Sequence, residues 1–90
     1  MGKHRQNREK AEELEELGWD ALGFPEPSAG GNTQTAEEYF RKALTYDPDL
    51  ADAYNGLGTA FYLQKRFAEA EAMYRTALQK ARTQLMTFAK

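Results

Sequence analysis

"AEEYFRKAL", residues 36–44, and "AEAMYRTAL", residues 70–78, are the stretches on which the fold turns. They agree at Ala, Glu, Arg, Ala and Leu, pair Phe40 with Tyr74, and lie 34 residues apart. Self-similarity at such a period marks a repeat architecture, in which one supersecondary unit stacks on its neighbour. Inside each copy the apolar residues recur at three- and four-residue steps, the spacing of one helical face.

The copies extend upstream. Tyr54, Leu57 and Phe61 share one helical stripe, and Phe67, Ala70, Tyr74, Ala77, Leu78 and Ala81 form another. The polar break "LQKRF" between them predicts a tight turn joining two antiparallel helices. Leu14, Leu17 and Gly18 match Tyr54, Leu57 and Gly58, but at an offset of 40. The first copy therefore carries six extra residues between its helices. They fall inside "GFPEPSAGGNT", residues 23–33, which holds two of the three prolines and three of the seven glycines. In repeat proteins such insertions map to loops at one edge, and lengthening a surface loop costs only about 0.6 kcal/mol per doubling.

The patterning predicts an all-α fold with helices near 6–22, 33–46, 50–64 and 67–88. Residues 1–10 read as a basic arm running into the first helix, and 11–49 as the first repeat with its inserted loop at 23–33. Residues 50–82 read as the second repeat and 83–90 as a continuation of the last helix. Thr35 with Glu38 has the spacing of a capping box. Pro48 disfavours helix at Asp47, and Asp49 is placed to cap the next helix.

This ordered set of residues resembles the tetratricopeptide repeat, a helix–turn–helix unit. The second copy carries Tyr54, Leu57-Gly58, Phe61, Ala70, Tyr74 and Ala77 at the family's positions. The first keeps Leu14, Leu17, Gly18, Ala36, Phe40, Ala43 and the closing Pro48. The resemblance spans roughly residues 11–82 and implies two helix hairpins stacked as a short right-handed superhelix. Two departures stand out. Lys65 occupies the usual turn glycine, where a left-handed backbone would cost about 1–2 kcal/mol, so a differently shaped turn is expected. Arg82 replaces the second closing proline, so Leu78, Ala81, Leu85 and Phe88 continue one stripe to the C-terminal end.

Composition narrows the function. There is no cysteine, which removes disulfides, thiolate catalysis and cysteine-based zinc sites, and fits a reducing, cytoplasmic setting. The net charge of −2 argues against a dedicated nucleic-acid binder. No apolar run approaches the ~20 residues that cross a bilayer. The start of the chain has no apolar segment of a secretory signal. The lone histidine, His4, and lone serine, Ser28, form no triad, and no metal-ligand set can be assembled, so no enzyme, cofactor, metal site or small-molecule substrate is expected. Glu12, Glu13, Glu15 and Glu16 read as a solvated helix face, since a hard cation needs a wrapping loop. "SAGGNT" has glycines before a helix but lacks the P-loop lysine and the preceding strand. The arm "GKHRQNREK" could touch nucleic acid or an acidic surface, yet such runs are more often solvated.

The expected function is a non-enzymatic module that binds another protein or peptide. In the family the first helix of each hairpin lines the concave face. Here that face would carry Glu12, Glu15, Trp19 and Leu22 from the first repeat, and Asp52, Asn55, Thr59, Tyr62 and Leu63 from the second. Trp, Tyr and Leu beside carboxylates suit a segment with apolar anchors and positive charge. Trp19 is alternatively covered by the inserted loop, with Phe24 against its ring. Phe24, Pro25 and Pro27 are the loop's candidate contact residues. The family's clamp for a chaperone C-terminal carboxylate is not expected, because its positions hold Glu15, Trp19 and Gly56.

Two repeats are few, since about three are normally needed for stability. Leu85, Met86 and Phe88 in the tail have no further helix to cover them. The tail folds back as a cap, or pairs two copies as a homodimer, or belongs to a longer array. Self-assembly through the tail is thus the alternative to partner binding.

Overall fold

The computed structural model describes the backbone of residues 2–23 and 32–88. Four helices account for nearly all of it: α1 (Gly2–Leu22), α2 (Thr33–Tyr46), α3 (Ala51–Leu63) and α4 (Phe67–Phe88). The last three lie within a residue of the sequence expectation, and α1 begins one turn earlier. α1 packs on α2 and α3 on α4, giving two hairpins, and the hairpins meet mainly where α2 lies against α3.

The core is built from small residues and a few large ones. Ala11, Ala36, Ala43, Ala53, Ala60 and Ala70 are buried, as are Leu22, Phe40, Leu50, Leu57 and Phe61. Phe40 is the one large side chain fully shielded from solvent among the described residues. Its ring lies between two glycines. A Cβ on Gly18 would meet the ring at 2.7 Å, and one on Gly56 at 2.2 Å. Gly18 belongs to the same hairpin and Gly56 to the next, so the aromatic of the first hairpin is roofed by the second.

The connections each have a local cause. α1 ends where Gly23 takes φ 91°, a left-handed conformation that glycine reaches without a Cβ clash. The chain re-enters at Asn32, whose N–H donates to the Ala21 carbonyl at 2.7 Å. The insertion therefore leaves and returns at one point.

The cap of α2 is Asn32, not the expected Thr35 box: the Asn32 side-chain oxygen accepts from the Thr35 N–H at 3.0 Å. Asparagine is as strong an N-cap as serine and lies where the backbone is still extended. Thr35 is already inside the helix, where its hydroxyl cannot reach the orphan donors.

Between α2 and α3, Asp47 is extended at φ −142°, as its following proline requires. Its carboxylate accepts from the Asp49 N–H at 3.1 Å, an Asx-type turn. Asp49 does not cap α3. Leu50 holds that position without a side-chain bond. The Asp49 carboxylate instead meets Lys80 Nζ at 2.9 Å, and its carbonyl accepts from Gln84 Nε2 at 2.7 Å. That ion pair raises the Lys80 ammonium above its ordinary range. These bonds hold the far end of α4 against the corner of the first hairpin.

The α3–α4 turn is left-handed despite its lysine. Lys65 stands at φ 65°. The Arg66 N–H reaches back to the Phe61 carbonyl at 2.9 Å and the Lys65 N–H to Tyr62 at 2.9 Å, the paired bonds of a Schellman motif. The expected reshaping of the turn does not occur, because these two bonds and the contacts of Arg66 fix it. Arg66 lies 4.4 Å above the Phe61 ring, forks onto Glu69 at 2.8 and 2.5 Å, and touches Glu37 on α2 at 3.4 Å.

Candidate interaction surface

The expected groove is partly assembled and partly divided. On α1, Glu12 is exposed and pairs with Arg8 at 3.6 Å. One turn on, Glu15 is half-buried and accepts a hydrogen bond from the Trp19 side chain. Its carboxyl is pushed above the ordinary range, first by burial and then by the negative charge of Asp52 on α3. The indole bond opposes that shift, while Glu16 and Glu12 add to it. Among the described residues the charged neighbours acting on Glu15 are acidic. Two helices from different hairpins thus bring Glu15, Asp52 and the Trp19 indole to one place.

Trp19 is only half-buried, and its ring meets Phe40 edge-on at 5.4 Å and 75°. It covers one edge of the core aromatic. Its equivalent in the second hairpin is Thr59, whose hydroxyl lies 3.1 Å from the Tyr74 hydroxyl. Asp52 and Asn55 are exposed, and the Asn55 carbonyl accepts from Thr59.

Leu22 is corrected. At 3% exposure it belongs to the core and offers nothing to a partner. Its equivalent Tyr62 is 56% exposed and Leu63 is 49% exposed. The difference follows from position, since the second hairpin packs against the end of the first and no described element packs against the end of the second. Tyr62 also turns away from the acidic end. Its ring meets Phe67 edge-on at 5.3 Å, and it lines an open hollow of about 430 Å³ with Phe67, Ala70, Tyr74 and Leu78.

That α3/α4 end face was not singled out from the sequence. The signal was available in the match of Phe40 to Tyr74. Phe40 is roofed by Gly56 of the following hairpin, whereas Tyr74 meets Gly58 of its own hairpin and stays 37% exposed. A second hollow, about 570 Å³, is lined among the described residues by α2 alone. A single helix face supplies no convergent groups.

Phe24, Pro25 and Pro27 lie outside the described residues, as do the side chains of Met86 and Phe88. Leu85 is described and is 69% exposed. In the basic arm Arg8 is engaged with Glu12, and Lys10 sits over the Tyr46 ring at 5.4 Å. Among the described residues no cluster of three or more His, Cys, Asp or Glu could hold a metal ion. No described helix is long and apolar enough to cross a membrane.

Comparison with known families agrees with the geometry. The family model described as tetratricopeptide repeat matches residues 28–84, well over half of the chain. No curated protein and no solved structure matches the chain.

Proposed function

Since the chain belongs to the tetratricopeptide-repeat family, whose members generally mediate protein–protein interaction, we propose that its α1/α3 surface binds a protein segment carrying a basic side chain beside an apolar anchor. The family's repeats are typically non-catalytic, and this reading is of a binding module.

The observation that carries the proposal is the meeting of Glu15, Asp52 and the Trp19 indole, drawn from two hairpins, at one place. A half-buried carboxylate with Asp52, Glu16 and Glu12 acting on it is a place where added positive charge is favoured. A lysine or arginine placed there would gain charge-assisted hydrogen bonds from two carboxylates. The Trp19 ring beside them offers an apolar wall and a cation–π partner. The single-tryptophan content makes the site its own reporter.

The test is a titration of Trp19 fluorescence with a short synthetic helix-forming peptide of lysine and leucine. A saturable change is expected, weakened by salt and by pH lowered through the carboxylate range of Glu15. The combined Glu15→Gln and Asp52→Asn chain should lose at least tenfold in affinity while keeping its helical circular dichroism. Equal affinity in that variant, or equal binding of a glutamate–leucine peptide, rules the proposal out.

A further inference from the structure

The outward face of α4 is a self-complementary seam. Phe67, Glu71, Tyr74, Leu78, Ala81 and Leu85 follow one another at steps of four and three, the a/d spacing of a coiled-coil helix. Phe67, Tyr74, Leu78 and Leu85 are 56%, 37%, 61% and 69% exposed. The flank of the helix beside this seam is occupied. Ala70 is buried, Met73 packs on the core, and Lys80 and Gln84 are tied to Asp49.

We propose that this seam pairs with the same seam of a second copy, the two α4 helices running antiparallel about an axis at Thr76. The seam is symmetric about that residue. Phe67 and Leu85 are equidistant from it, as are Tyr74 and Leu78, and Glu71 and Ala81. Antiparallel pairing sets Phe67 against Leu85 and Tyr74 against Leu78 at both ends of the axis. Glu71 then faces the small Ala81, next to Arg82. Parallel pairing would set Glu71 against its own copy, and like charges across a seam repel.

Head-to-tail stacking is disfavoured by the other end of the molecule. α3 docks on the first hairpin through Ala53, Gly56 and Ala60, all buried. The equivalent positions of α1 hold Glu13, Glu16 and Asp20, all exposed. Pressing that stripe onto Tyr74 and Leu78 would bury carboxylates without partners, which is strongly unfavourable. The acidic stripe of α1 is therefore a solvated face. The C-terminal end finds its mate in an identical end, through an isologous contact that closes as a dimer.

Light scattering over a concentration series should show the molar mass rising from 10.2 kDa towards twice that value. Leu78→Glu and Leu85→Glu sit at exposed positions, so each variant should keep its helical signal and stay monomeric. Orientation is read by disulfides, for which the cysteine-free chain is a clean background. Mixed Phe67→Cys and Leu85→Cys chains should cross-link to each other and not to themselves. A monomer at every concentration, or a dimer untouched by both glutamates, overturns the proposal. Self-cross-linking of either cysteine chain overturns the antiparallel axis.

Discussion

Replacing Gly56 by alanine should unpick the joint between the hairpins, and replacing Gly58 should not. Both glycines are inside α3, where alanine alone would favour the helix by about 1 kcal/mol. The added methyl decides the sign. At Gly56 it would stand 2.2 Å from the Phe40 ring, more than 1 Å short of ordinary contact. The ring cannot retreat, because it is fully buried and Gly18 bounds its other side. α2 and α3 must therefore separate. Overpacking a core costs typically 1–3 kcal/mol, and this case belongs at the upper end. The net loss is about 2 kcal/mol, from a total on the order of 5–10 kcal/mol for a domain of this size.

At Gly58 the methyl would stand 2.8 Å from the Tyr74 ring. That ring is 37% exposed and can swing outward, at the expense of its bond to Thr59. The net change should lie between about zero and 1 kcal/mol of stabilisation, by the same propensity gain. Thermal unfolding followed by circular dichroism distinguishes the two. Gly56→Ala should lower the midpoint by roughly 8–16 °C, taking about 4–8 °C per kcal/mol. The comparison is made at a concentration where light scattering reads a monomer. Equal effects at the two sites would refute the stacking argument, which rests on Phe40 being roofed and Tyr74 not.

Three further outcomes follow from the same geometry. Lys65→Gly removes about 1–2 kcal/mol of left-handed strain but loosens the unfolded chain by about 0.4–1 kcal/mol, so urea unfolding should show a net gain near 0.5–1 kcal/mol; a loss would mean the turn is not left-handed. Glu15, whose carboxyl is raised by burial, holds its proton more tightly folded than unfolded. Its share of stability is present below the ordinary carboxylate pKa and lost as pH rises through the raised value. Glu15→Gln should therefore be the more stable chain at neutral pH, with the gap closing in acid, and a gap that widens in acid would reverse the assignment. Trp19→Ala uncovers one edge of Phe40, and for a half-buried indole the loss should be about 2 kcal/mol, below the 3–5 kcal/mol of full burial. Helical content in the cold should survive, and complete unfolding would place Trp19 wholly in the core.

Much of the architecture was legible because it is encoded locally. Apolar steps of three and four, the Asp47-Pro48 break and the match of residues 36–44 to 70–78 gave the helices, the hairpins and the family. Capping was less legible. Thr35 and Asn32 are both competent caps, and the winner is whichever residue sits where the chain enters the helix. Asp49 was equally plausible as a cap for α3, yet Lys80 and Gln84, more than thirty residues away, claim it.

The site was legible in its residue types and not in their fates. Sequence placed Glu15, Trp19 and Asp52 on the first helices of successive hairpins, and folding brings the three side chains together. It could not separate Leu22 from Tyr62, which hold the same position in two copies of one repeat. Each copy presents the same apolar edge, and periodicity alone treats those edges alike. Stacking breaks the equivalence: the first hairpin's edge is roofed by Gly56 and its neighbours, and the second hairpin's edge is left facing outward. Helix and turn are settled by residues a few positions apart. Burial in a stack is settled by what lies on the next layer, and only the tertiary structure supplies that.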